Sequence, residues 1–173
     1  MVDLHTPEQR RHNMQRVRGR DTKPEMLLRR GLHAKGFRYR LHERNLPGRP
    51  DLVFPRYGAV VFVHGCFWHG HGCSRFRWPA TRREFWERKI EANRARDARA
   101  IDALKKAGWR VLVVWECALR GPQRWSHEEI FEEVGTFLIQ NGKRLCELPS
   151  AKRTRSEVGE RKGASRSTPS IDE

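Results

Sequence analysis

Long apolar runs are missing from this sequence. None of its segments approaches the ~18 consecutive apolar residues that a membrane-spanning helix needs. The opening stretch MVDLHTPEQRRHNMQRVRGRD also lacks the apolar segment of a secretory signal. The expectation is a cytoplasmic protein with no membrane partner, in a compartment that keeps thiols reduced. Cysteine is scarce too, with four residues: Cys66, Cys73, Cys117 and Cys146. A chain of 173 residues buries a core without disulfide staples, so these thiols read as metal ligands or packing residues. Acidic side chains are the third shortage, 21 against 36 Lys and Arg, which leaves a net charge of +15. Such a surplus favours a polyanionic partner, because each phosphate contacted releases condensed counterions. Nucleic acid is the expected partner.

What is present falls into three parts. Residues 1–21 form a basic arm, crowded with Arg10, Arg11, Arg16, Arg18 and Arg20, with Met14 and Val17 among its few apolar side chains. Residues 22–147 carry the periodic patterns of one folded domain. Residues 148–173 are rich in Ser, Arg and Lys and nearly devoid of large apolar residues, so a disordered basic tail is expected.

Within the domain, Thr22-Lys23-Pro24-Glu25 has the form of a capping box opening a helix that runs to about Lys35, where Gly36 can end it. Phe37 to His42 alternates apolar and basic residues, which predicts a half-buried strand. A turn-rich loop, Leu46 to Pro50, leads into two buried strands at 51–54 and 59–63. After an irregular segment from His64 to Pro79, a long helix is expected from about Thr81 to Ala107, closed by Gly108. A strand at 109–115 and a helix from Ser126 to Gln140 complete the pattern. Helix, three strands, helix, strand, helix predicts an α/β fold: a mixed central sheet flanked by helices, in the element order of a restriction-endonuclease-like core.

Three groups of residues carry chemistry. Asp51 opens a strand straight after a turn, where a carboxylate can hold a hard cation through oxygen. In the common restriction-like pattern a second carboxylate and a lysine follow on the next strand; Phe62 and His64 stand in their places here. On the long helix, Trp86, Ile90, Asn93, Asp97, Ile101 and Leu104 share one face at 3.6-residue spacing. An Asp on a core-facing stripe needs a partner, so Asp97 should meet a histidine, an arginine or a metal. The densest signal is His64-Gly65-Cys66-Phe67-Trp68-His69-Gly70-His71-Gly72-Cys73. Cysteine and histidine at such spacing read as a zinc site, with Cys66, Cys73, one histidine and Cys117 as the four ligands. Spacing alone leaves His69 and His71 equal candidates. Phe67 and Trp68, inside this polar loop, are suited to a wedge that unstacks a base step, and Met14 with Val17 to a second wedge.

Taken together, Asn13-Met14, Arg20-Asp21-Thr22, Leu46 to Asp51, His64 to His69, Pro79 to Arg82, Phe85-Trp86, Gly108 to Leu112 and Val114 to Gly121 resemble the very short patch repair (Vsr) DNA mismatch endonuclease family over about residues 10 to 125. The resemblance implies a restriction-like fold with structural Zn2+ and catalytic Mg2+. It implies nicking of double-stranded DNA 5′ to the thymine of a T·G mismatch, left when 5-methylcytosine deaminates, by a monomer that works beside mismatch-repair proteins and is associated with the nucleoid when acting. Carried onto this sequence, Asp51 and the carbonyl of Val63 hold magnesium. His69 is the base, with His64, Asp97 and Glu25 around it. Cys66, His71, Cys73 and Cys117 hold zinc. Phe67 and Trp68 intercalate, opposed by Met14 and Val17, while Arg16, Arg18, Arg20 and Arg49 contact phosphates. Val63 stands where Thr is expected, which is harmless if only its carbonyl binds. The competing readings are a zinc-stabilised DNA-binding protein without catalysis and a restriction-type nuclease without mismatch specificity.

Overall fold

A computed structural model of the chain describes residues 19–122, 124–140 and 142–149, with Thr6, Gln9 and His12 as isolated positions. The expectations for Met14, Val17, Arg16, Arg18 and the basic tail from residue 150 onward lie outside the described residues, while Leu148, expected to open the tail, ends the last strand.

The first helix, α1 (Lys23–Ala34), starts where the capping box predicts. Glu25 N–H donates to Thr22 Oγ1, and Thr22 N–H donates to Glu25 Oε2, both at 3.4 Å. Strand β1 is only Arg40–Leu41, shorter than the alternation from Phe37 to His42 suggests. Phe37 is withdrawn from the ladder: its N–H donates to Leu32 O (3.0 Å) and its ring packs edge-on to Tyr57 and Phe54 in the core. At the other end His42 adopts φ +47°, a left-handed conformation that stops the strand.

Strands β2 (Leu52–Phe54) and β3 (Ala59–His64) form an antiparallel pair, joined by a 3-10 turn at Pro55–Tyr57. Helix α2 (Arg83–Lys106) then carries the chain to β4 (Arg110–Trp115), which lies parallel to β3 with His64 opposite Trp115. A single turn, α3 (Glu116–Leu119), and helix α4 (His127–Ile139) follow. Ser126 and Glu129 form a second capping box at the start of α4. The last strand, β5 (Leu145–Leu148), pairs parallel to β4 and was not expected. Leu145 and Glu147 are exposed, only Leu148 is buried, and Glu147 interrupts any apolar run. The mixed five-stranded sheet in the order β1-β2-β3-β4-β5 is the expected α/β arrangement.

Alternation along β2 and β3 sorts the core to two faces. Leu52, Phe54, Ala59 and Val61 meet Leu28 and Leu32 of α1 and Ile130, Val134 and Leu138 of α4. Val53, Val60 and Phe62 meet Leu104 of α2. With helices on both faces, β2 and the 59–63 stretch of β3 are wholly apolar, as buried strands require. Among the described residues no helix is long and apolar enough to cross a membrane.

Arg110, at the start of β4, locks α4 to the sheet. Its guanidinium donates to Phe137 O (2.6 Å), Gln140 O (2.8 Å), Leu138 O (2.9 Å) and Tyr57 O (2.7 Å). Three of these are carbonyls of the last turn of α4, which lack partners within the helix and sit at the negative end of its dipole. Charged hydrogen bonds of this kind contribute about 1.5–3 kcal/mol each, without strict additivity. Arg110→Met should therefore lower the unfolding free energy in urea by ~2–4 kcal/mol; a loss under ~0.5 kcal/mol would show that water replaces the guanidinium without cost.

Candidate active site

Asp51 is delivered by a strained turn. Gly48 (φ +72°) lies so close to α2 that a Cβ there would sit 2.7 Å from Ala100 Cβ, and Arg49 also has positive φ (+51°). The carboxylate then meets the end of β3, where Val63 N–H donates to Asp51 Oδ2 (2.7 Å). Burial raises the Asp51 pKa to about 6, with nearby Glu25 adding to the rise and the Val63 N–H, His42 and His69 opposing it. The result is a half-buried carboxylate whose negative charge is poorly compensated, and oxygen of that kind is the donor a hard divalent cation takes.

His42 is a site residue that the sequence reading did not select. It stands between two carboxylates, Nε2 3.2 Å from Glu25 Oε1 and Nδ1 3.9 Å from Asp51 Oδ1. The 3.2 Å approach is poorly aligned for a hydrogen bond, and buried Nε2 has no hydrogen-bond partner among the described residues. Hairpin register is the signal that finds it: Arg40 opposes Val53 and Leu41 opposes Leu52, so position 42 faces Asp51. Glu25 itself lies one layer back, 2 % exposed, with Arg29 3.3 Å away and its other oxygen engaged in the α1 cap.

On the other side of Asp51 stand two histidines. His64 ends β3, and its ring stacks on His69 with centroids 3.9 Å apart and planes within 6°. Burial, helped by the neighbouring His69, lowers the His64 pKa to about 3 against the pull of Asp97, so His64 is a neutral base-plate under His69. His69 Nδ1 lies 2.5 Å from Asp97 Oδ2. The expected partner of the helix-face carboxylate is thus a histidine. Such a pair holds the proton on Nδ1 and leaves the Nε2 lone pair free to accept one. Asp51, His42, Val63, His64, His69 and Asp97 all line one cavity of about 430 Å³, and Arg20, Arg44, Arg49 and Arg96 contribute to its wall.

The loop beyond His64 gathers Cys66, His71, Cys73 and Cys117, whose candidate ligand atoms lie within 4.8 Å of one another. Cys117 reaches the loop because the parallel pairing of β3 and β4 brings their ends together. His71 Nδ1 is 3.7 Å from Cys66 Sγ and 3.5 Å from Cys117 Sγ. Zinc bonds of ~2.0–2.3 Å in a tetrahedron give nitrogen–sulfur edges of roughly 3.6 Å, so the spacing and the donor set suit that ion. Cys117 and then His71 stabilise the Cys66 thiolate and lower its pKa to about 5. His71 is in this group and His69 is not, which separates the two histidines that spacing left equal.

Phe67 and Trp68 are half-buried and pack with Trp86 of α2, at centroid distances of 5.1 and 6.0 Å. Phe76 and Trp78 extend the cluster, and Arg83 lies over the Trp78 ring at 4.6 Å. Trp86 thus belongs to the loop as much as to the core. A second cavity of about 540 Å³, lined by Trp68, Lys89 and Asn93, shares Val63, His64 and His69 with the first.

Comparison with known proteins bears on this arrangement directly. The family described as "DNA mismatch endonuclease Vsr" matches residues 2–75. The DNA mismatch endonuclease Vsr of Escherichia coli is 45% identical over 82% of this chain and 91% of its own length. The chain belongs to the Vsr family. It is accordingly a DNA endonuclease. Two further relatives are named type II nicking enzymes: V.XorIIP of Xanthomonas oryzae pv. oryzae, 56% identical over 69% of this chain and 88% of its own, and V.NmeAIP of Neisseria meningitidis, 42% identical over 69% and 86%.

In this Vsr chain the uncompensated Asp51 charge costs stability. Because the folded pKa is raised above the ordinary carboxylate value of 3.8, the penalty is absent below about pH 4, grows as pH rises, and is complete above about pH 6. The shift corresponds to roughly 3 kcal/mol. Asp51→Asn keeps an acceptor for the Val63 N–H and removes the charge. Without added magnesium it should stabilise the protein by up to ~3 kcal/mol at pH 8 and by almost nothing near pH 4, read from urea unfolding. Destabilisation at pH 8 would mean that the carboxylate charge is already compensated.

Proposed function

We propose that this chain is a magnesium-dependent nicking endonuclease on a restriction-endonuclease-like core, cutting one strand of duplex DNA 5′ to the thymine of a T·G mismatch. Its role is to initiate repair where 5-methylcytosine has deaminated inside a methyltransferase site. The observation that carries the chemistry is the meeting of Asp51 with the His69–Asp97 pair in one arginine-walled cavity. The names of the relatives carry the substrate: one acts on DNA mismatches and others are nicking enzymes.

Asp51 and the Val63 carbonyl are the groups that would hold magnesium, which when bound supplies charge stabilisation at the scissile phosphate. Asp97 orients His69 through Nδ1, and His69 Nε2 takes the proton from the attacking water. The water oxygen bonds to phosphorus as the P–O3′ bond breaks, leaving a 5′-phosphate on the thymidine and a 3′-hydroxyl on its neighbour. Neutral His64 keeps the His69 ring in plane without placing a second positive charge beside it. Arg20, Arg49 and Arg96 hold the phosphates on either side. Phe67 and Trp68 enter the stack at the mismatch, which costs less to open than a Watson–Crick step. Cys66, His71, Cys73 and Cys117 would hold a structural zinc that fixes the loop carrying both the wedge and the base.

An end-labelled duplex with one T·G pair in a methyltransferase-type site, compared with its fully paired twin, tests this reading. Across a panel of flanking sequences, a single magnesium-dependent nick 5′ to the mismatched T is expected from one of them, with Asp51→Ala abolishing the nick while binding persists. His69→Ala should reduce nicking at least ~100-fold, the range lost with a general base. Equal cutting of both duplexes would remove the mismatch specificity, and DNA binding without a nick on any flank would remove the catalytic reading. Cys73→Ala should lose far-UV ellipticity at 37 °C together with bound zinc, since a structural metal contributes folding free energy. A folded, zinc-free and active Cys73→Ala protein would dispose of the zinc assignment.

A further inference from the structure

The loop from Gly65 to Cys73 has few backbone bonds of its own. His69 N–H donates to Gly65 O (3.3 Å), Gly70 N–H to Phe67 O (3.3 Å), and His71 N–H to Cys66 O (2.9 Å). These leave the carbonyls of Trp68, His69 and Gly70 without backbone donors among the described residues, and such groups need partners. All three are met from one turn of α2. Asn93 Nδ2 donates to Trp68 O (2.9 Å), Arg94 Nε donates to His69 O (3.0 Å), and Arg94 Nη2 donates to Gly70 O. The packing is close: at Gly70 (φ +61°) a Cβ would lie 2.7 Å from both Arg94 Nη2 and Ile90 Cγ2. Asp97, the partner of the His69 ring, is one helical turn further along the same helix.

We propose that Arg94 is a positioning residue for His69, a role that rests on the reading of His69 as the base. The ring is fixed by Asp97 and the backbone by Arg94, so both ends of the side chain are referred to a single rigid element. Without the fork, the carbonyl side of the His69 backbone loses its anchor, leaving the N–H bond to Gly65 O and the ring bond to Asp97, and Nε2 is less closely fixed. With the guanidinium fork on two successive carbonyls, Nε2 has one position relative to Asp51. The planar fork suits this task, since it meets two carbonyls at once where an ammonium serves as a point charge. The same clamp ties the Trp68 backbone, through Asn93, to the element that orients His69, so the wedge and the base move as one body.

The test is single-turnover nicking of the T·G duplex at saturating enzyme, alongside the Kd for the same DNA. Arg94→Met should slow the nick about 10- to 100-fold, the loss expected for ångström-scale misplacement, with Kd changed less than about twofold. Arg94→Lys, which restores the charge and one donor, should recover part of the rate. In a His69→Ala background, Arg94→Met should change the residual rate by less than about twofold, because the base it positions is gone. An unchanged rate overturns the proposal. So does a Kd that weakens in step with the rate, which would make Arg94 a phosphate contact. An equal loss in both backgrounds also overturns it, showing general loosening of the loop. If Arg94→Met fails to fold by circular dichroism, Arg94→Lys decides alone: an intermediate rate supports the clamp and a full rate refutes it. Wild-type nicking by His69→Ala would instead dismiss His69 as the base, whatever Arg94 does.

Discussion

The parallel pairing of β3 with β4 is the constraint on which the site depends. Antiparallel neighbours end at opposite edges of a sheet; parallel neighbours end together. Val63 and His64 therefore emerge beside Val114 and Trp115, and the segments that follow each strand occupy the same space. One of those segments holds Cys66, His71 and Cys73, and the other holds Cys117. A parallel pair also needs a long crossover, and α2 is that crossover. Its route over the sheet places Asp97 beside His69 and Asn93 beside Trp68. The antiparallel turn into β2 brings Asp51 to the same edge from the other side. One topological choice thus assembles Asp51, the His69–Asp97 pair and the cysteine cluster of this Vsr endonuclease.

Electrostatics then separate the site from the rest of a strongly basic molecule. With 36 cationic side chains against 21 acidic ones, a carboxylate on this surface would ordinarily find an arginine. Asp51 has instead a backbone N–H and a histidine 3.9 Å away. Glu25, by contrast, is engaged by Arg29 and the helix cap. Glu25 is buried and paired, while half-buried Asp51, left short of cations, is the one of the two that lines the cavity. Keeping Asp51 poorly compensated lowers stability and, on the function proposed above, would favour a divalent ion, an exchange common where function and folding make opposite demands.

Much of this was legible in the chain because it is local. Both capping boxes were written in four-residue strings, and the buried strands were written as apolar runs. Asp97 was legible for a different reason: helical periodicity set a carboxylate on an apolar stripe, and a buried charge requires a partner. What escaped depends on pairing between distant segments. His42 becomes a site residue only once β1 is in register with β2. β5 has only a short apolar signature, broken by Glu147, and two of its four side chains are exposed. The choice between His69 and His71 lay beyond spacing, because an irregular loop gives no period from which to deduce direction. Family resemblance assigned them first, and the geometry separates them, with His71 Nδ1 among the sulfurs and His69 Nδ1 on Asp97. Arg94 escaped for the opposite reason: an arginine on the exposed side of a basic helix looks like every other.

The compactness of the 64–73 segment has a mechanical meaning. Within ten residues it carries the stacked histidines, the aromatic pair and three of the four cluster ligands. Loops are ordinarily the loosest part of a fold, yet on the function proposed above this one has to hold His69 to within a fraction of an ångström. Its own backbone bonds are too few to do so. Rigidity therefore comes from outside, at three places: the Cys/His cluster that joins Cys66, His71 and Cys73 to Cys117, the aromatic packing on Trp86, and the α2 side chains on its carbonyls. The cluster brackets the segment from Cys66 to Cys73, Trp86 supports Phe67 and Trp68, and Arg94 grips the backbone of His69. A ligand that displaces Phe67 and Trp68 must therefore strain the same supports that place His69. On the function proposed above, entry of a mismatch and alignment of His69 would be mechanically one event, and a duplex too stiff to admit the aromatic pair would leave His69 where this fold holds it.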